Sequence, residues 1–197
     1  MKGEQNIFTH QTDLLLTLLN RQRHDWMNHL QVLLGYLKLG RPEQGEEYLK
    51  RVTELLNHES SLSRINCSAL SVFFQTFNAL HDDLVLTVEL ANQVDLSLVE
   101  KDKQELFAVI TQIVLLAKQH LVKDAFETKH MTVTLLEWEQ RIVFRFKLDG
   151  MISESGNLEV EKLMERSKQS ATEVIDWMRT SNEWRLEIGF PLVAKMR

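Results

Sequence analysis

Apolar residues recur at helical spacing through the first third of the chain, and the pattern changes near Cys67. At about 100° per residue, Leu15, Leu16, Leu19, Trp26, Leu30, Leu33, Leu34 and Leu37 gather on one side of a helix expected from Gln5 to Leu39. Gly40-Arg41-Pro42 ends it, and Pro42 suits the first turn of a second helix running to Ile65. That helix has Tyr48, Leu49, Val52, Leu55, Leu56, Leu62 and Ile65 as its apolar stripe. Together the two form a helical hairpin over residues 1–66. An isolated pair of long helices leaves both stripes partly uncovered, and pairing with a second copy into a four-helix bundle is the usual solution. A homodimer is therefore expected.

A second domain is expected over residues 67–197. Ala69 to Leu80 reads as a shorter helix, and Leu84 to Leu90 has the β-branched alternation of a strand. Lys103 to Val122 is helical by period, and Met131 to Trp138 and Arg141 to Leu148 form a strand pair with a tight turn at Glu139-Gln140. Leu158 to Met178 reads as a helix and Trp184 to Leu192 as the last strand. This order predicts an α/β sandwich with helices on one face of a sheet, so the fold class is α+β. Internal repeats, Gly/Ser-rich linkers and low-complexity tracts are absent from the sequence.

The side of the first helix opposite its leucines carries the chemistry. Thr17, Asn20, Arg21, His24, Asn28, Gln31, Gly35 and Lys38 fall within about 60° of one line, and none is a large apolar residue. His24 should face water. Imidazole is a nucleophile available at neutral pH, so an exposed ring nitrogen can take a phosphoryl group without a strong base. Arg23 and Asp25 flank it, Asn28 is one turn on, and Gly35 leaves the surface low for a docking partner. A metal site on the same residues is disfavoured, because His24 and His29 diverge by about 140° around the helix. His10, His58, His81, His120 and His130 show no ligand spacing with Cys67 or with one another. No nucleophile elbow of a hydrolase is visible.

Composition narrows the partners. A net charge of −5 with scattered basic residues argues against nucleic-acid or anionic-membrane binding. One cysteine, Cys67, excludes an internal disulfide and suits a reducing cytoplasm. No apolar run approaches the roughly 20 residues of a membrane span. Glu43, Glu46 and Glu47 sit in the first turns of the second helix, where acidic groups suit the dipole.

The stretch Arg23-His24-Asp25-Trp26-Met27-Asn28-His29-Leu30-Gln31 resembles the phospho-acceptor box of histidine kinases, in the variant Arg-His-Asp-aromatic-x-Asn-x-Leu-Gln. Within that group, length and chain plan resemble the sporulation initiation phosphotransferase B family of endospore-forming bacteria. The resemblance implies a cytoplasmic phosphorelay enzyme in which His24 accepts a phosphoryl group from an aspartyl phosphate on one response regulator and passes it to another. Arg23, Asp25 and Asn28 would support it, with Asn20, Arg21, Gln31, Gly35 and Lys38 on the partner surface. It further implies no cofactor of the chain's own, with Mg2+ supplied by the regulator's receiver domain.

The second domain resembles a degenerate histidine-kinase ATPase domain. Where such kinases carry Asn-x-x-x-Asn, this chain has Gln112-Ile113-Val114-Leu115-Leu116-Ala117, and Leu116 cannot ligate magnesium. Their Asp-x-Gly-x-Gly turn is reduced to Asp149-Gly150 before Met151-Ile152, and no glycine-rich lid precedes the final helix. The alternatives are an ATP-dependent histidine kinase with weak boxes and a noncatalytic module that binds response regulators.

Overall fold

In the computed structural model, residues 2–122, 128–168, 172–180 and 182–193 are described, the side chains of residues 2–11 and 168 excepted. Among the histidines, His10 thus has a side chain outside the described residues. Packing divides the chain into two units, Met1–Ser60 and Ser61–Arg197.

The first unit is built from helix α1 (Lys2–Lys38) and most of helix α2 (Pro42–Leu62). The turn between them has a defined chemistry. Gly40 takes φ +65°, its N–H donates to the Leu37 carbonyl, and the Arg41 N–H donates to the Tyr36 carbonyl, which satisfies the last carbonyls of α1. A residue with a side chain is strained at that φ, so Gly40 stops the helix. Pro42, with no N–H to waste, starts α2.

The helix expected to reach Ile65 ends at Leu62. Leu62 and Ile65 continue its apolar spacing but belong to the core of the second unit. In the hairpin most leucines of α1 are not covered. Leu15, Leu16, Leu30, Leu34 and Leu37 are all at least half exposed.

The second unit contains α3 (Ser68–Leu80), β1 (Leu84–Leu90), α4 (Lys103–Gln119), β2 (Lys129–Trp138), β3 (Arg141–Asp149), α5 (Glu154–Lys168), β4 (Glu173–Arg179) and β5 (Glu183–Pro191). The strands form one sheet in the order β1-β2-β3-β5-β4. β1 and β2 are parallel and the other neighbours antiparallel. Alternate residues of β3, Ile142, Phe144, Phe146 and Leu148, are fully buried, and they share one core with Phe77 of α3, Ile110 and Ile113 of α4 and Val160 of α5. On the other face Arg145 and Lys147 are exposed, and Arg145 pairs with Glu187 of β5 at 2.6 Å. At the edge of β1, the Asn78 carboxamide donates to the Leu86 carbonyl and accepts from its N–H, each at 2.8 Å, which blocks further strand pairing there. No described helix is long and apolar enough to cross a membrane.

One element contradicts the sequence reading. The helix expected over Leu158 to Met178 is α5, starting earlier and ending at Lys168, followed by the edge strand β4. Val160, Leu163, Met164, Val174, Ile175 and Met178 keep a helical spacing across the junction, which is what misleads. The strand's own alternation is scrambled because its register with β5 shifts between Val174 and Asp176, so two residues face one.

Candidate functional site

His24 lies on α1 and its side chain is 73% exposed. Both of its close polar neighbours meet the same ring nitrogen. The Asn28 amide nitrogen is 3.1 Å from Nδ1, and an Asp25 carboxylate oxygen is 3.5 Å from it. Asn28 reaches the ring because it sits one turn further along the same face. Asp25 is the next residue and folds its short side chain back.

These two groups bear on the tautomer. A carboxamide turned end for end occupies the same space, so Asn28 serves either form: its NH2 donates to a bare Nδ1, or its oxygen accepts from Nδ1–H. Asp25 accepts only. As placed, the Asn28 NH2 at 3.1 Å suits a bare Nδ1 and the Asp25 carboxylate at 3.5 Å suits Nδ1–H. With the carboxamide turned so that its oxygen accepts, both neighbours suit Nδ1–H and the lone pair lies on Nε2.

The rest of the expected polar face is where the helical period puts it. Asn20, Arg21, Gln31 and Lys38 are exposed and Gly35 is half-buried. A Cβ placed on Gly35 would meet nothing within 4 Å, so the chain's own packing does not require glycine there. Arg23 is exposed as well.

The sequence reading missed what happens at His29 and Tyr48. Nδ1 of His29 is 2.8 Å from the Tyr48 hydroxyl, linking α1 to α2. Tyr48 had the look of one more stripe residue, and its hydroxyl was the signal, since a phenol in a seam needs a polar partner. The divergence of His29 from His24 around the helix points it at that seam.

Elsewhere the ring of His120 has contacts that look catalytic. Ser153 Oγ is 3.3 Å from its Nδ1 and Glu159 Oε1 is 3.3 Å from its Nε2. Ser153 Oγ, however, accepts the Gly156 N–H as the cap of α5. A Cβ on Gly156 would lie 2.4 Å from the His120 Cβ, so the ring is a packing element between α4 and α5. Leu116 packs partly buried on the core, and Gly150 takes φ +139° in the turn after β3. Among the described residues no three His, Cys, Asp or Glu side chains are placed to hold a metal ion.

Comparison with known proteins shows the family. Residues 4–65 match the family model described as the SpoOB-type sensor kinase alpha-helical domain, and residues 66–191 match that of sporulation initiation phosphotransferase B, C-terminal. The chain belongs to the sporulation initiation phosphotransferase B family. It is 28% identical over 193 residues to sporulation initiation phosphotransferase B of Bacillus subtilis (strain 168), covering 94% of this chain and 95% of that protein. Among solved structures it is similar to the histidine kinase AdeS of Acinetobacter baumannii, with a TM-score of 0.45 and 11% identity over 86% of this chain and 98% of that one. It is also similar to the catalytic domain of the histidine kinase ThkA, with a TM-score of 0.47 and 13% identity over 67% of this chain and 92% of that one. As a phosphotransferase B homologue, the chain carries His24 within its helical match and the five-stranded sheet within its C-terminal match.

Proposed function

We propose that the chain carries phosphoryl groups between response regulators in the relay that starts sporulation, with His24 as the acceptor. The observation that supports this most is the imidazole of His24, 73% exposed, whose Nδ1 meets Asn28 at 3.1 Å and Asp25 at 3.5 Å.

In the first step the Nε2 lone pair attacks the phosphorus of an aspartyl phosphate on the donor regulator. The N–P bond forms as the P–O bond to the aspartyl carboxyl breaks, and that carboxylate leaves with the electron pair. The ring becomes cationic, and Asp25 beside Nδ1–H stabilises the charge. In the second step an aspartate of the acceptor regulator attacks the same phosphorus and the imidazole leaves neutral. No proton is gained or lost overall. Magnesium and a lysine on the regulator would neutralise the phosphoryl oxygens.

Asn20, Arg21, Gln31, Gly35 and Lys38 would form the docking face, with Arg23 beside it. Gly35 lies 11 residues from His24, which is three turns and about 20° around the helix, so a partner resting on one meets the other. The uncovered leucines of α1 would pack against a second copy as a four-helix bundle.

The test is to mix the full chain with a phosphorylated receiver domain and locate the transferred phosphate by mass spectrometry. The reading expects it on His24. Binding of the receiver with no phosphate found there would overturn it.

A further inference from the structure

The hairpin buries little of its own surface. Between Thr12 and Ser60 only Gly45 and Val52 are buried, and the α1–α2 seam otherwise depends on half-buried groups such as Leu33 and Tyr36. Leucine contacts, within the hairpin or with a second copy, are non-directional, and they fix the rotation of one helix on the other less sharply than a polar contact does. A polar contact in a seam fixes it because only one register satisfies the contact. The hydrogen bond between His29 Nδ1 and the Tyr48 hydroxyl, 2.8 Å long and partly buried, is such a contact.

Aromatic rings and a guanidinium surround it. The Trp26 ring meets His29 edge-on at 6.2 Å. Tyr36 lies 6.1 Å from the Tyr48 ring, and the Arg51 guanidinium stands over that ring at 5.7 Å. His29 also directly follows Asn28, which contacts the His24 ring. Along a rigid helix the azimuth of His29 therefore determines the azimuth of His24.

Resting on the proposal that His24 is the phosphoryl acceptor, we infer that Tyr48 is a positioning residue for the transfer, setting through His29 the direction in which His24 leaves the hairpin. Side-chain tips lie about 5–6 Å from a helix axis, so a roll of about 10° moves the imidazole by about 1 Å. Displacements approaching that size cost about tenfold to a hundredfold in reactions that require an aligned attack.

The test uses the full chain, a phosphorylated receiver domain and single-turnover transfer measured against receiver concentration. Tyr48→Phe removes one oxygen and keeps the ring stack. Its limiting rate should fall about tenfold while half-saturation moves less than twofold and the melting curve and sedimentation stay as in the wild type. His29→Gln, whose amide can still bond the phenol, should keep at least half the wild-type limiting rate, and His29→Leu should match Tyr48→Phe. Wild-type limiting rates in both Tyr48→Phe and His29→Leu would overturn the positioning role. So would a loss that appears in half-saturation or in folding instead of the limiting rate. His24→Ala separates the two ideas: full transfer by that variant sinks the acceptor reading itself, whatever Tyr48 does.

Discussion

The amide nitrogen of Asn28 lies 3.1 Å from Nδ1 of His24, one turn along the same exposed helix face. It is nearer to the ring than the Asp25 carboxylate at 3.5 Å, so it limits the rotamers that an exposed imidazole explores. Asn28→Ala is expected to slow phosphotransfer about tenfold, or about 1.4 kcal/mol, with stability changed by no more than about 0.5 kcal/mol. Asn28→Asp, which keeps an acceptor for Nδ1–H, should retain more of the rate than Asn28→Ala. Single-turnover transfer and urea denaturation of the two variants check this.

The leucine face of α1 gives a prediction about assembly. Leu30 is 55% exposed and Leu37 63% exposed in the single chain. If a second copy covers them, a charge at either position is buried unpaired on association. Leu30→Glu and Leu37→Glu should each weaken self-association at least about a hundredfold, about 2.7 kcal/mol, as read by sedimentation equilibrium. The second unit has its own core and should keep its circular-dichroism signature of sheet.

Gly156→Ala tests the packing of His120. The added Cβ would meet the His120 Cβ at 2.4 Å, backed by α4. The expected cost is about 1–3 kcal/mol of stability. Removing the obstacle with His120→Gly in the same chain should recover part of that loss, giving a non-zero coupling in a double-mutant cycle.

Lys101 predicts a pH dependence. Its side chain is 1% exposed, and its ammonium donates to the Thr172 hydroxyl at 3.0 Å. Burial pushes its pKa below the ordinary lysine value of 10.5, against the opposing pull of Glu105. Between the lowered value and the ordinary one the unfolded chain binds more protons than the folded chain, so stability rises with pH across that interval. Below it both states are protonated and the burial cost is present in full. Relative to Lys101→Met, the wild type should therefore gain stability as pH rises from neutral toward that ordinary value. Urea denaturation at several pH values reads the difference, and a gap that does not change with pH would contradict it.

Much of this molecule is legible in its sequence because its signals are local. The hairpin turn follows from Gly40 and Pro42, and the exposed line through His24, Asn28 and Gln31 from the helical period alone. The β2–β3 turn at Glu139-Gln140 is found where the strands on either side demand it, although both residues take positive φ without being glycine. What escapes the sequence is non-local. Strand β4 is hidden by a bulge whose cause is its pairing with β5. The His29 to Tyr48 contact joins residues on two helices, and no single-helix projection relates them. The allegiance of Leu62 and Ile65 to the second core is invisible to a stripe that simply continues.

The central claim is that one imidazole carries the phosphoryl group. Its most direct test reconstitutes donor receiver, this chain and acceptor receiver, and compares wild type with His24→Ala at matched folding and assembly. The account predicts that the wild type phosphorylates the acceptor while His24→Ala passes nothing above the rate without added protein. Equal transfer by the two chains would contradict it.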